Sequence, residues 1–344
     1  VKKGKNKDFN GDGFIDLVVG TSTNYSNGYV YIFYSDGVNG ITTEDADVTI
    51  SGFNNYYTIR TGDINGDGYA DLIESDCGRH YALIYDETWG WYEAPVYGKM
   101  FVFYSKGTDG ITGGSAEDIS DVFIYRLQED EGLNEAGLCV DDFNNDGFDD
   151  IAVGDVTYDS YKGAVRIFNS SGSAGITQNG EFTNADITIS GTGENSEDYR
   201  IGKSIDSADF DGDGCRDLIF SSSGTGSTYK GRLYIFQSNG KSSFNGISSV
   251  ADATITIQDD DAGQFYMEYH KYDCGDINGD GCDDLIIYNN NHLSAYFSKG
   301  SSGLSFSDIK NSADFYINYS MFFYEVLLSD LNNDGLDDLC ALTY

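Results

Sequence analysis

Six segments of the chain share one acidic pattern, D-x-[ND]-x-D-G-x-x-D-[LI]. They begin at Asp8, Asp63, Asp142, Asp209, Asp276 and Asp330. Side chains at positions 1, 3, 5 and 9, with a backbone carbonyl at position 7, would supply the roughly six to eight oxygen ligands that calcium prefers. A glycine at position 6 allows the sharp turn that aims these groups inward. The pattern therefore predicts one calcium site in each segment, and about six sites in the chain.

The predicted ligands follow from the spacing. The side-chain donors are Asp8, Asn10, Asp12 and Asp16; Asp63, Asn65, Asp67 and Asp71; Asp142, Asn144, Asp146 and Asp150; Asp209, Asp211, Asp213 and Asp217; Asp276, Asn278, Asp280 and Asp284; and Asp330, Asn332, Asp334 and Asp338. The carbonyl donors at position 7 belong to Phe14, Tyr69, Phe148, Cys215, Cys282 and Leu336. Magnesium fits this pattern less well, because it demands octahedral geometry and retains several waters.

Two other interpretations of the segments are a solvated acidic turn and an EF-hand. A single D-G turn would be a solvated acidic turn, but six full ligand sets favour metal binding. An EF-hand needs Glu at position 12 of the loop and a helix on each side. Among the six segments Glu74 alone meets the first requirement, and a β-type run, Leu17-Val18-Val19, follows the first loop. We therefore favour calcium loops in a β-rich fold.

The elements that must position these loops repeat in step with them. Successive segments start 55, 79, 67, 67 and 54 residues apart, close to the roughly 50 to 70 residues of a four-stranded propeller blade with its loops. An aromatic strand is predicted after each of the first five segments, at residues 29–34, 100–104, 164–168, 232–236 and 293–297. A G-[IL]-[TS] turn follows each one, and then a second alternating run at residues 47–50, 121–124, 186–189, 253–257 and 314–317. Period-2 alternation indicates half-buried strands.

The repeat unit is thus strand, acidic loop, strand, strand, turn, strand. We predict an all-β fold, a single β-propeller of four-stranded blades spanning residues 1–344. The abundance of glycine, tyrosine and phenylalanine and the single proline agree with many short strands joined by tight turns. This scheme gives 21 strands, so about five or six blades of a six- or seven-bladed ring are visible. We expect the chain to start and stop within a blade, as a portion of a longer chain, with the missing strands elsewhere or supplied by a partner.

The charge of the chain restricts its partners. The formal net charge is −37, from 57 acidic and 20 basic residues. Such a chain repels nucleic acid and anionic membranes and attracts divalent cations. No run of about 18 uninterrupted apolar residues is present, so direct membrane insertion is not expected. Each bound divalent cation would offset two negative charges, which predicts that cations form part of the fold.

These motifs resemble the FG-GAP repeat, the repeat of integrin α-chain propellers and of many secreted or cell-surface proteins. In the fourth repeat, residues 201–204 stand where the family has Phe-Gly, and the acidic loop and then Asp217-Leu218-Ile219 follow. Val19-Gly20 and Val153-Gly154 match the start of Gly-Ala-Pro, whose Ala-Pro is absent here. The resemblance implies that each loop joins the first two strands of a blade. It also implies that calcium stiffens the scaffold on the face opposite the ligand.

The resemblance implies a non-catalytic extracellular module for adhesion or ligand binding, with a protein or a glycan as its ligand. The best contact candidate is an insertion in the second repeat that contains Trp89, Trp91 and Tyr92. Large aromatic rings supply contact area for proteins and stacking faces for sugars. These rings could equally pack onto their own blade. A loop between the second and third strands of a blade would reach the family's ligand face.

Two further functions stay open at the level of sequence. Propellers with unfinished edges could complete one another and build a filament or a surface coat, because unpaired edge strands template pairing. A polysaccharide-active enzyme is the third hypothesis, since a pair of the many carboxylates could act as acid and base. The three histidines, at 80, 270 and 292, lie in different repeats, and neither G-x-S-x-G nor HExxH occurs. We therefore predict that the chain is not an enzyme.

Cysteines and sequons bear on the compartment. The six cysteines show no C-x-x-C spacing, which argues against zinc and leaves disulfides and buried thiols as alternatives. The sequons at Asn24, Asn169 and Asn318 predict glycosylation in a secreted or cell-surface protein. The chain starts at Val1 and carries no signal peptide, so we expect a processed product or an excised portion.

Overall fold

The structure is a computed structural model of the chain. It describes residues 7–21, 28–41, 44–53, 57–86, 90–126, 136–192, 200–223, 231–238, 240, 244–253, 255–258, 271–288, 292–304, 312–318, 323–332 and 334–343. Side chains at residues 76–97 are outside this description, although their strands are within it. In the part of the chain so described, no helix is long and apolar enough to cross a membrane.

Strands dominate the described residues. In chain order they are β1 (Leu17–Thr21), β2 (Gly28–Phe33), β3 (Val48–Phe53), β4 (Tyr57–Gly62), β5 (Asp71–Asp86), β6 (Gly90–Phe103), β7 (Gly114–Ser115), β8 (Val122–Tyr125), β9 (Leu138–Asp141), β10 (Asp150–Asp155), β11 (Ala164–Phe168), β12 (Gly180–Glu181), β13 (Ile187–Ser190), β14 (Ile205–Ala208), β15 (Asp217–Ser222), β16 (Arg232–Phe236), β17 (Ile255–Gln258), β18 (Lys271–Gly275), β19 (Asp284–Tyr288), β20 (His292–Tyr296), β21 (Phe315–Asn318), β22 (Phe323–Ser329) and β23 (Asp338–Thr343). Helical structure is limited to short turns, among them Ala116–Ile119 and Tyr158–Tyr161.

The strands form successive meander sheets, as the repeat predicts. Their orders are β1-β2-β3-β7, β4-β5-β6-β8-β12, β9-β10-β11-β13, β14-β15-β16-β17, β18-β19-β20-β21 and β22-β23. Each acidic segment from the second to the sixth joins the first and second strands of a sheet, and the first precedes β1. The all-β prediction and the four-strand unit are confirmed. The 21 expected strands are all present, with two short additions.

Those additions, β7 and β12, were not predicted. β7 pairs in parallel with β3 through Ile50 and Gly114, and β12 pairs in parallel with β8 through Ile124 and Gly180. In both cases a two-residue strand from the following repeat pairs with the last strand of the preceding sheet and covers its edge. Covering an edge removes unpaired backbone groups that would otherwise invite association.

Both faces of an inner sheet are buried, which explains why the strands after the loops have runs of consecutive apolar residues. In β19, Leu285 and Ile287 pack with Ala208 and Phe210 of the preceding repeat. Ile286 of the same strand packs on the other side with residues of the β22 strand. Successive side chains of a strand point to opposite faces. A strand between two neighbours therefore needs apolar residues in both registers, as in the sequence LIIY.

The chain divides into two compact units. The first contains residues 1–141, 147–152 and 166–186, and the second contains residues 142–146, 153–165 and 187–344. In the first unit a continuous core joins the first two sheets, with Phe9, Ile50, Leu72 and Phe101 fully buried within it. In the second unit equivalent cores join β14–β17 to β18–β21 and these strands to β22.

The insertion of the second repeat is a hairpin, which corrects the prediction of a loop. β5 and β6 are 16 and 14 residues long and pair from Leu72 with Phe103 to Asp86 with Gly90. Trp91 pairs with Tyr85 and Tyr92 pairs with Ile84 along this ladder. Trp89 lies outside the described residues, as do the side chains of Trp91 and Tyr92. Their role in ligand contact stays a prediction.

Candidate metal-binding loops

Five of the acidic segments fold through the same relay of side-chain-to-backbone hydrogen bonds. In the first loop the amide of Gly13 donates to Oδ2 of Asp8 (2.8 Å), the amide of Asp12 to Oδ1 of Asn10 (3.1 Å) and the amide of Phe14 to Oδ1 of Asp12 (2.9 Å). The same three bonds recur in the loops that begin at Asp63, Asp209, Asp276 and Asp330. Asp and Asn side chains stabilise turns by such local bonds.

In the fourth loop the side-chain oxygens of positions 1, 3 and 5 lie close together. In the fourth loop Asp209, Asp211 and Asp213 each place one carboxylate oxygen within 4.8 Å of the others. In the third loop the amide of Asp146 donates to Oδ1 of Asp142 (3.0 Å), which draws positions 1 and 5 together there as well. Three carboxylates at this separation repel one another unless a cation or protons offset the charge.

Two buried oxygens test whether a cation fits the loops. Oδ1 of Asp63 and Oδ1 of Asp209, both at position 1, are buried and have no hydrogen bond of normal geometry from the described residues, although the amides of Gly66 and Gly212 lower the pKa of these two carboxyls. A buried acceptor without a partner costs about 1–3 kcal/mol, and more when it is charged. A hard divalent cation at the centre of the loop would give these atoms a partner. The residues present therefore fit a calcium ion.

The aspartate at position 9 has a second role that the sequence did not reveal. Asp71 is fully buried, and it accepts the amide of Ile64 on Oδ2 (3.0 Å) and the amide of Ser105 on Oδ1 (2.9 Å). The same pair of bonds ties Asp16, Asp217 and Asp284 to their own loop and to the serine that follows the aromatic strand. A carboxylate offers about four acceptor sites, so two remain on each of these groups for a metal ion.

Burial controls the protonation of these carboxyls in the absence of metal. Desolvation raises the pKa of Asp71 to about 8, of Asp217 to about 7 and of Asp284 to about 6, and nearby carboxylates add to the effect. The two backbone amides on each group act in the opposite direction. Desolvation is also the main cause of raised pKa values at Asp16, Asp63, Asp209 and Asp211.

These shifts predict how the stability of the metal-free protein depends on pH. The folded state holds a proton on Asp71 up to about pH 8, whereas the ordinary carboxyl value is 3.8. Between these values the folded state binds more protons than the unfolded state, so the free energy of unfolding falls as pH rises. We expect denaturant melts in a calcium chelator to show higher stability at pH 5 than at pH 8.

The variant Asp71→Asn is the control for this pH dependence, because its amide does not titrate. Its stability in chelator should change less between pH 5 and pH 8 than that of the parent chain. Stability that rises across this range in the parent chain would contradict the assignment.

Neighbouring loops contact one another through a recurring backbone bond. The residue at position 8 of one loop donates its amide to the carbonyl of position 1 in the preceding loop. The pairs are Ala70 to Asp8 (2.9 Å), Asp149 to Asp63 (3.2 Å), Asp283 to Asp209 (2.8 Å) and Asp337 to Asp276 (2.9 Å). This bond therefore connects the first three loops to one another, and likewise the fourth, fifth and sixth.

Position 7 side chains also contact the preceding loop. A Cβ added at Gly11 would overlap the ring of Tyr69, and one at Gly212 would lie 2.7 Å from Sγ of Cys282. Cys215 accepts a hydrogen bond from the side chain of Asn145 (3.4 Å). The two thiols are buried against different loops, and none of the five cysteines in the described part of the chain forms a disulfide. Of the two alternatives that the sequence left, these five cysteines are therefore thiols and not disulfides.

Serines after the aromatic strands are functional partners of the loops that sequence reasoning missed. Besides its amide bond to Asp71, Ser105 donates its hydroxyl to the carbonyl of Phe9 (2.6 Å), and Ser170 donates to the carbonyl of Ile64 (2.6 Å). Ser298 makes the equivalent bond to Phe210. A serine two residues after the end of each aromatic strand recurs in the sequence, and this recurrence was the available signal.

A second set of aspartates serves the strands rather than the loops. Asp47, Asp121, Asp186 and Asp314 each accept the amide of the residue that follows an aromatic strand, at 2.8 to 2.9 Å. One of these donors is the sequon residue Asn169, which is half-buried. Asn24 and the side chain of Asn318 lie outside the described residues. Glycosylation stays a prediction at all three sites.

The sequence profile of the FG-GAP-like repeat matches residues 8–73, 142–220 and 276–341, which is more than half of the chain. The chain belongs to this family. The matched ranges begin at acidic loops or include them, and the sheets have the strand arrangement of β-propeller blades. The two half-motifs of FG-GAP also meet in space, because Gly154 lies directly against the backbone of Gly202.

Solved structures similar to this FG-GAP protein have low sequence identity to it. An Agrocybe aegerita lectin that recognises non-reducing terminal N-acetylglucosamine is 16% identical, with a TM-score of 0.46 over 98% of this chain and 77% of the lectin chain. Rhamnogalacturonan lyase YesW is 14% identical, with a TM-score of 0.42 over 94% of this chain and 64% of that one. BBS1N, in complex with ARL6DN, is 11% identical, with a TM-score of 0.32 over 84% of this chain and 90% of that one.

Proposed function

We propose that this FG-GAP protein is a calcium-binding, extracellular propeller module that binds a protein or glycan ligand without catalysing a reaction. Calcium is the part of the proposal that the geometry supports best. Five loops share one relay of hydrogen bonds made by side-chain oxygens at positions 1, 3 and 5. The observation that carries the proposal is the buried Oδ1 of Asp63 and of Asp209, which have no hydrogen bond of normal geometry from the described residues.

Calcium is favoured over magnesium by the donors themselves. The loops offer several carboxylates and amides on a glycine-containing backbone, and calcium tolerates about six to eight such ligands in flexible geometry. The chain carries a net charge of −37, and bound cations would reduce self-repulsion where the carboxylates converge. Calcium at millimolar concentration is typical of the extracellular compartment, which agrees with the location that we propose.

Mass spectrometry under native conditions tests the proposal by counting bound metal. If each loop binds one ion, the chain should carry about six calcium ions after dialysis against a calcium buffer. It should carry none after chelation. The variant Asp213→Asn should lose one ion, because position 5 is Asp in all six loops. Asp211→Asn is the matched control and should keep all ions, since the other five loops have Asn at position 3. A folded chain without bound calcium would overturn the proposal.

A non-catalytic role is supported by where the perturbed carboxyls lie. The aspartates with raised pKa values in the described residues are Asp16, Asp63, Asp71, Asp209, Asp211, Asp217 and Asp284. All of them belong to acidic loops, where backbone amides hold them in place. Perturbed carboxyls of an active site would instead be expected to face a substrate cleft.

A structural subunit that associates through its sheet faces is the second candidate. The last sheet exposes Leu327, Leu339 and Leu342 by 55%, 40% and 61%, whereas Leu218 and Leu285, the counterparts of Leu339, are fully buried. Such a face could pack against a second copy of the chain. Sedimentation velocity over a range of concentrations separates the candidates, because a binding module stays a discrete particle and a filament subunit grows.

A further inference from the structure

We propose that the aspartate at position 8 of a loop, which is outside the ligand set, positions the position-1 ligand of the preceding loop and thereby couples metal binding at the two loops. The inference rests on the proposed calcium function. It concerns Asp283, which acts on the fourth loop from within the fifth, and Asp149, which acts on the second loop from within the third.

Asp283 holds Asp209 by two hydrogen bonds that close a ring. The amide of Asp209 donates to Oδ2 of Asp283 (2.9 Å), and the amide of Asp283 donates to the carbonyl of Asp209 (2.8 Å). Arg216, at position 8 of the fourth loop, also donates from Nη1 to Oδ2 of Asp283 (2.9 Å). The Asp283 side chain is 17% exposed, so these charge-assisted bonds are shielded from water.

The same ring recurs at a second pair of loops. The amide of Asp63 donates to Oδ2 of Asp149 (2.8 Å), and the amide of Asp149 donates to the carbonyl of Asp63 (3.2 Å). Asp63 and Asp209 are also the two position-1 residues whose buried Oδ1 has no hydrogen bond of normal geometry from the described residues. The backbone of each is therefore fixed by the next loop while one carboxylate oxygen is left for a metal ion.

The first pair of loops provides an internal comparison. Position 8 of the second loop is Ala70, whose amide bonds to the carbonyl of Asp8 (2.9 Å). Alanine has no carboxylate to accept the amide of Asp8, so half of the ring is absent there. The backbone bond is thus common to these loop pairs, whereas the second bond of the ring depends on an aspartate side chain at position 8.

The coupling follows from the position of Asp283 within its own loop. Asp283 lies between Cys282, whose carbonyl is a predicted ligand, and Asp284, which closes the fifth loop. Metal binding at the fifth loop would fix both neighbours and hence Asp283, which in turn holds Asp209 in place for the fourth loop. The fourth loop then loses less conformational freedom when it binds its own ion. Because coupling is reciprocal, the fifth loop gains affinity by the same factor.

Calcium titration against a competing chromophoric chelator tests the inference, because it resolves classes of sites by affinity. Asp283→Ala removes the acceptor, and we expect two of the sites to weaken by about tenfold, within the usual range of coupling between sites. Asp283→Asn loses the same charge but keeps a side-chain oxygen acceptor, so it should retain most of the affinity. Asp109→Ala, which removes an exposed charge from a residue outside the predicted ligand sets, should bind calcium like the parent chain.

Each outcome decides between explanations. Equal weakening by Asp283→Ala and Asp283→Asn would overturn the inference, because charge alone would then explain the effect. Parent-like binding by Asp283→Ala would overturn it as well. A purely structural role would lower the melting temperature of Asp283→Ala in chelator while leaving its calcium affinities unchanged. If that variant does not fold, Asp149→Ala and Asp149→Asn provide the same comparison at the second loop. Absence of calcium binding by the parent chain would instead refute the proposed function.

Discussion

Removal of calcium is expected to lower the melting temperature of this chain by about 20 °C or more. A ligand at a hundred times its dissociation constant stabilises the folded state by about 2.7 kcal/mol per site. Six such sites would contribute about 16 kcal/mol if they were independent, and 1 kcal/mol corresponds to about 2–4 °C in a domain of this size class. Chelation also leaves clustered carboxylates unpartnered in every loop that binds an ion.

Scanning calorimetry in calcium and after chelation measures this effect. A chelated sample at matched ionic strength in potassium chloride is the control for general screening of the net charge of −37, because surface repulsion responds to any salt. Magnesium at equal concentration should restore little of the loss. A melting temperature that potassium chloride restores in full would show that screening, and not site binding, stabilises the protein.

Gly154→Ala is expected to destabilise the chain by about 3 kcal/mol or more, at the upper end of the cost of overpacking. Gly154 lies within β10, and a Cβ there would overlap the carbonyl oxygen of Gly202, which is rigid backbone. Either β10 or the segment around Gly202 must move, and that motion would separate the two half-motifs of the family. The melting temperature should fall by about 6–12 °C.

Gly300→Ala is the matched control for the glycine substitution. Gly300 has φ of 62° and no atom within 4 Å of an added Cβ. Alanine there should therefore lower the free energy of unfolding only by the cost of the left-handed conformation, about 1 kcal/mol. Thermal melts of the two variants in saturating calcium compare the loss of stability caused by a steric overlap, in Gly154→Ala, with the loss caused by backbone strain alone, in Gly300→Ala. Equal losses of stability in both variants would mean that the contact between Gly154 and Gly202 is not tight.

Local patterns made the loops and strands predictable. The predicted ligands of one loop lie within nine residues, and the hydrogen-bond relay joins residues two to five apart, so the sequence carries the whole motif. Strand alternation is equally local. These signals predicted the four-strand unit, the position of each loop and the aromatic strands.

Contacts between distant residues were not predictable. Asp149 and Asp63 are 86 residues apart, Asp283 and Asp209 are 74 apart, and the hydroxyl of Ser170 reaches a carbonyl 106 residues away. Nothing in the local sequence distinguishes an aspartate of a predicted ligand set from one that accepts a hydrogen bond from the backbone of a neighbouring loop. The spacing alone placed Asp71 in a ligand set, while the packed strands gave it two amide donors and a raised pKa.

The sequence by itself determined the family, the fold class and the candidate ligands, because these depend on short spacings and on periodicity. The tertiary structure decided which loops contact one another, that the insertion of the second repeat continues as a β5–β6 hairpin and that the thiols of Cys215 and Cys282 pack against separate loops. The physical reason is that the hairpin depends on pairing of β5 with β6 within one sheet, whereas the loop contacts and the thiol positions arise only when consecutive sheets pack face to face. That packing brings position 8 of one loop to position 1 of the loop before it.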